Sequence, residues 1–107
     1  MAKILIVDDE DAIRRTLKDI LTYEKFDVDE AKDGMEGLAK IKKNEYDVIL
    51  MDIKMPNMDG MDALERLQDI QPDLPVIMIS GHANIDNAVE AVKKGAFDFI
   101  SKPPDLN

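Results

Sequence analysis

Short apolar runs and amphipathic stretches alternate from one end of this sequence to the other, and that alternation leaves few folds open. Ile4-Leu5-Ile6-Val7, Val48-Ile49-Leu50-Met51 and Val76-Ile77-Met78-Ile79 are wholly apolar. Runs of that length, bounded by turn residues, read as strands buried on both faces. Phe97 to Ile100 gives a fifth strand. Phe26 to Glu30 alternates apolar with acidic residues, as a half-exposed edge strand does. Between these runs, Ile13, Leu17, Ile20 and Leu21 recur at helical spacing, as do Met35, Leu38 and Ile41. Met61, Leu64, Leu67 and Ile70 make a third apolar stripe, and Ile85, Ala88, Val89 and Val92 a fourth, all expected to face inward. Asp33 with Glu36 and, later, Asn84 mark helix starts, and Gly95 marks a stop. The order β-α-β-α-β-α-β-α-β predicts a parallel sheet with helices on both faces.

In such sheets ligands bind outside the carboxyl ends of the strands. The polar residues collect there. Asp8 and Asp9 follow the first strand, Asp52 the third, Ser80 the fourth and Lys102 the fifth. Asp52 also borders a stiff loop. Pro56 lacks an N–H and holds the chain out of a helix, and Asp59-Gly60 permits a tight turn. Asp11, Asp33 and Asp59 read as helix caps and turn residues.

Three carboxylates converging on one spot repel each other, so at least one pKa should rise unless a cation compensates. Lys102 supplies one positive charge. The cluster holds no histidine or cysteine, which argues against zinc. Magnesium, a hard cation that takes one or two carboxylates and keeps several waters, fits best, with calcium second. A carboxylate beside a lysine and a magnesium ion can act as a nucleophile toward phosphorus, and formation of an aspartyl phosphate is a sensible use of Asp52. Ser80 would then hydrogen-bond a phosphoryl oxygen, and Gly81 would leave space for the donor.

Composition narrows the rest. The 107 residues suffice for one small domain. A net charge of −9 makes direct nucleic-acid binding a poor expectation, because phosphate-backbone affinity comes from lysine and arginine. No apolar run has membrane length, no signal peptide fits the N-terminus, and the absence of cysteine suits a cytoplasmic protein.

Asp8-Asp9-Glu10, the segment from Asp52 to Gly60, Ser80-Gly81 and Lys102-Pro103 together resemble the receiver domain of two-component response regulators. The resemblance runs from Lys3 to Pro103. It implies a flavodoxin-like (CheY-like) α/β fold in three layers, with sheet order 2-1-3-4-5. It also implies a role for each residue. Asp52 would accept phosphate from a sensor histidine kinase. Asp9, Asp52 and the backbone carbonyl of Lys54 would bind magnesium, with Asp8 acting through a metal-bound water. Ser80 and Lys102 would contact the phosphoryl group. Phe99, otherwise a core aromatic, would be the switch aromatic. Lys54 and His82 would tune phosphate lifetime from the rim, and Lys102-Pro103 would be a cis peptide. Gly95 to Pro103 further resembles receivers of enhancer-binding regulators that work with sigma-54 polymerase. That implies transcriptional output through ATPase and DNA-binding domains outside this chain.

The sequence departs from the family in two places. Pro104 stands where phenylalanine is usual, and residues 1–107 end before a fifth helix, so a truncated receiver is expected. The uncovered face suggests a homodimer, with exchange of elements between copies as one way to form it. Two other readings compete. One is an unphosphorylated pseudo-receiver used for docking. The other is a magnesium-dependent phosphatase of haloacid dehalogenase type, whose second acid would fall at Lys54.

Overall fold

The computed structural model describes residues 1–81 and 85–102, and of Ile85 the backbone alone. Among the described residues nine elements follow in strict alternation: β1 (Lys3–Val7), α1 (Asp11–Tyr23), β2 (Asp27–Ala31), α2 (Gly34–Lys43), β3 (Val48–Asp52), α3 (Gly60–Ile70), β4 (Val76–Ser80), α4 (Ile85–Lys93) and β5 (Asp98–Ser101). The strands form one sheet in the order β2-β1-β3-β4-β5, every pairing parallel. The β2 edge was legible from its alternation of apolar and acidic residues. β2 is the acidic edge strand, and its Asp29 and Glu30 face opposite sides because neighbouring side chains alternate. Glu30 pairs with Arg14 and Lys18 of α1, while Asp29 pairs with Lys40 and accepts a 2.6 Å hydrogen bond from the Tyr46 hydroxyl.

The main core lies on the face shared by Leu5, Val7, Ile49, Met51, Val76 and Met78, under α2, α3 and α4. Leu38, Ile41, Leu64, Leu67 and Ala91 seal it from the helices. The opposite face carries α1 alone among the described residues. There Ile4, Ile6 and Ile13 are buried, Leu50 and Ile77 are only half-buried, and Ile100 is exposed.

Local chemistry sets the helix ends. Asp33 caps α2 by accepting the Glu36 N–H, and the Glu36 carboxylate accepts the Lys32 N–H in return. Asp59 caps α3 by accepting from Asp62 N–H. Asp11 is not a cap: it lies in the first turn of α1, and its carboxylate pairs with Arg14. Gly95, in the left-handed region at φ 105°, closes α4. Its N–H donates to Val92 O, and the Ala96 N–H reaches back to Ala91 O, satisfying carbonyls that the last turn leaves open. Asn84 lies outside the described residues.

Several stripe residues do not face inward as expected. Met35, Ile20 and Ile70 are exposed, and so are Val89 and Val92. The α4 case has a clear cause. That helix packs at the β5 margin of the sheet, where only a narrow strip of core is on offer, and Ala91 fills it by allowing close approach. Two strands are also shifted by one residue. Phe26 precedes β2 and Phe97 precedes β5, and Phe97 is 73% exposed.

Candidate functional site

β1 delivers the first acid. The Asp8 N–H donates to Ala31 O at 3.1 Å, which carries the β1–β2 ladder one residue past the strand and buries Asp8 completely. The chain then turns. Glu10 N–H donates to Asp8 Oδ1 at 2.9 Å, and Arg14 Nη1 donates to the Asp8 carbonyl at 2.6 Å. β3 delivers the second acid as its last residue. Asp52 is 5% exposed, and its Oδ1 accepts the Ile53 N–H at 3.0 Å.

The loop after Asp52 is folded tightly against it. Gly60 N–H donates to Ile53 O at 2.7 Å, and a Cβ at Gly60 would lie 2.0 Å from the Asp52 carbonyl oxygen. Close approach, rather than turn geometry, is therefore what requires glycine at 60. The left-handed residue of this loop is Asn57, at φ 70°.

Lys102 follows β5, held by its N–H to Ser80 O at 2.9 Å. Its side chain is 7% exposed, and its ammonium reaches three carboxylates: Asp8 Oδ2 at 3.0 Å, Asp52 Oδ1 at 3.3 Å and Glu10 Oε1 at 3.5 Å. Oxygens of Asp8, Asp9, Glu10 and Asp52 all lie within 4.8 Å of one another.

Burial pushes the Asp52 carboxyl up to about 6, and the neighbouring Asp8 charge adds to the rise against the pull of Lys102. Burial likewise raises Asp8, opposed by the Glu10 N–H and Lys102. For Lys102 burial works against the charged form, but Asp8 and Asp52 outweigh it and its pKa rises.

The pocket thus brings together Asp8, Asp9, Asp52 and Lys102, as expected. Ser80 ends β4, buried, opposite Ser101 in register. Lys54 is exposed on the loop after β3. Phe99 is half-buried against the main core, on the face covered by α4. His82, the Lys102-Pro103 peptide and Pro104 lie outside the described residues. Sequence reasoning missed Glu10 as a member of the cluster. Its place directly after two acids at a strand tip was the available signal.

The donor set fits a hard divalent cation. Among the described residues, four carboxylates face one ammonium, and no nitrogen or sulfur ligand is present. Asp8 Oδ2 is buried, and its one close charged partner among the described residues is the Lys102 ammonium at 3.0 Å.

Fold and pocket together define a class: a doubly wound α/β domain with an acidic, lysine-clasped pocket at the carboxyl edge of its sheet. The family model for the response regulator receiver domain matches residues 4–107, and the chain belongs to that family. It is 42% identical over 105 residues to regulatory protein AtoC of Escherichia coli (strain K12), covering 98% of this chain and 23% of AtoC. It is 38% identical over 104 residues to transcriptional regulatory protein GlrR of the same strain, covering 97% of this chain and 23% of GlrR. The chain therefore spans less than a quarter of these relatives. Among solved structures, response regulator TrrA of Thermotoga maritima in complex with Mg2+ and BeF superposes with a TM-score of 0.90 at 28% identity, covering 100% of this chain and 91% of TrrA.

Proposed function

We propose that this domain is a phosphorylation-controlled switch in which Asp52 accepts a phosphoryl group from the phosphohistidine of a sensor kinase. The observation that carries this reading is the Lys102 ammonium clasped between Asp52 and Asp8 at the tip of the central strand. An Asp52 oxygen attacks phosphorus as the P–N bond of the donor breaks. The electron pair leaves with the imidazole, which takes up a proton. Lys102, at 3.3 Å from Asp52 Oδ1, is placed to follow the charge onto the phosphoryl oxygens. Ser80 would hydrogen-bond one of those oxygens, and Phe99 would move inward with it.

Magnesium, when bound, supplies positive charge that offsets the phosphoryl and carboxylate charges. Asp9, Asp52 and the Lys54 carbonyl would hold it directly, and Asp8 through a water. Lys54, exposed on the loop after β3, would tune the lifetime of the phosphate, and the sequence position of His82, two residues after Ser80, suggests the same task for it. Since the chain promotes its own modification and its loss without external turnover, it is a switch rather than an enzyme.

The output of the whole protein would be transcription, of the sigma-54 type with ATPase and DNA-binding domains, in the cytoplasm; the names of the relatives support regulation of transcription. No described helix is long and apolar enough to cross a membrane. A homodimer would cover apolar side chains such as Val92 and Phe97, which are exposed here.

Intact-mass spectrometry after incubation with magnesium and acetyl phosphate tests the reading. One phosphoryl mass should appear, and chelation of the metal or Asp52→Ala should abolish it. No gain, or a gain that survives Asp52→Ala, overturns the assignment.

A further inference from the structure

Arg14 looks on sequence like one more solvated cation on α1, yet its side chain is only 14% exposed. Its guanidinium reaches the turn after β1, the edge strand β2 and the first turn of its own helix. Nη1 donates to the Asp8 carbonyl at 2.6 Å, Nε faces Glu30 Oε1 of β2 at 3.4 Å, and Nη2 pairs with Asp11 in the first turn of α1. The Asp8 carbonyl lies just past β1, beyond the last residue paired in the β1–β3 ladder, and among the described residues Arg14 is the side chain that donates to it. A buried carbonyl without a donor is costly, and Arg14 supplies one with charge.

We infer that Arg14 is a positioning residue for the acidic turn: it fixes the Asp8 backbone and, through it, the places of the Asp8 and Asp9 carboxylates that would hold magnesium. The planar fork suits this task, because one rigid group can satisfy the carbonyl while Glu30 and Asp11 hold it from two sides. A lysine at this position would bring a single point charge. The inference rests on the magnesium pocket proposed above, and it concerns only how that pocket is kept in shape.

Lys18 provides the contrast. It lies one turn further along α1 and pairs with the same Glu30, at 3.3 Å, but no contact joins it to Asp8. Loss of Lys18 weakens the docking of α1 on β2 without releasing the turn. The test is magnesium binding by isothermal titration calorimetry, on variants whose far-ultraviolet circular dichroism confirms folding. Arg14→Met should bind magnesium about tenfold more weakly than wild type, the low end of what loss of a group orienting a metal ligand costs. Lys18→Gln should bind as wild type does.

Equal affinity in Arg14→Met and wild type overturns the inference, as does an equal loss in Lys18→Gln. A wild type that binds no magnesium instead overturns the proposed function, and the inference with it. Nuclear magnetic resonance of the wild type gives a second readout that needs no variant. The Arg14 guanidinium protons should exchange more slowly than those of the exposed Arg15, and should shift when magnesium is added. Exchange as fast as at Arg15, with no shift, contradicts the proposed contact.

Discussion

Lys102 Nζ rests 3.0 Å from Asp8 Oδ2, with the two side chains 7% and 0% exposed. An ion pair so far from solvent holds together only while both partners are present. Each charge has lost its hydration and depends on the other, and here Asp52 leans on the same ammonium.

Lys102→Met should therefore destabilise the metal-free domain by about 3 kcal/mol, the loss expected when a buried pair is broken from one side. Added magnesium should recover part of that loss by supplying the missing charge. Urea denaturation with and without magnesium measures both effects. A variant as stable as wild type without metal would show that the carboxylates accommodate one another by protonation alone.

Asp52 makes stability fall as pH rises. Its carboxyl sits at about 6 rather than 3.8, so folding favours the protonated form. The stabilisation is complete below pH 3.8 and disappears as pH climbs through about 6. Asp8, also raised by burial, acts in the same direction. Metal-free Asp52→Asn should consequently exceed wild type in stability at pH 7, by as much as about 3 kcal/mol for a shift of roughly two units. Magnesium requires the ionised form and should reverse the slope. Thermal melts from pH 4 to pH 8 decide: a metal-free wild type that gains stability between pH 5 and pH 7, with no advantage for Asp52→Asn, contradicts this account.

Gly60→Ala pits two effects against each other. Alanine in a helix is better than glycine by about 1 kcal/mol. A Cβ at this position would nevertheless lie 2.0 Å from the Asp52 carbonyl oxygen and 2.9 Å from Met78 Cε. Contact that close to backbone forces a shift, so the variant should lose roughly 2 to 4 kcal/mol, in the range of overpacked cores. It should also accept phosphate from acetyl phosphate more slowly, because the displaced loop carries Asp52 with it. Chemical denaturation and the mass assay report the two effects separately.

By itself the sequence determined the order of elements, the parallel sheet and the end of it at which chemistry gathers. Period-two and period-3.6 patterns are local, and an apolar run that ends in an acid declares a strand tip without reference to its neighbours. Asp8, Asp9, Asp52 and Lys102 could be named for that reason, and Asp33 and Asp59 could be read as caps. What only the tertiary structure decided is how much room each element has and what each charge faces. Val89 and Val92 have good helical spacing, but α4 lies at the margin of the sheet and Ala91 takes the little core available. Gly60 looked like a turn glycine and is a point of close contact, because the partner atom comes from a residue whose carbonyl the fold brings back against it. Glu10 and Arg14 escaped notice for the same reason. A charged residue on a helix start reads as solvated until folding brings Lys102 beside one and the Asp8 carbonyl beside the other.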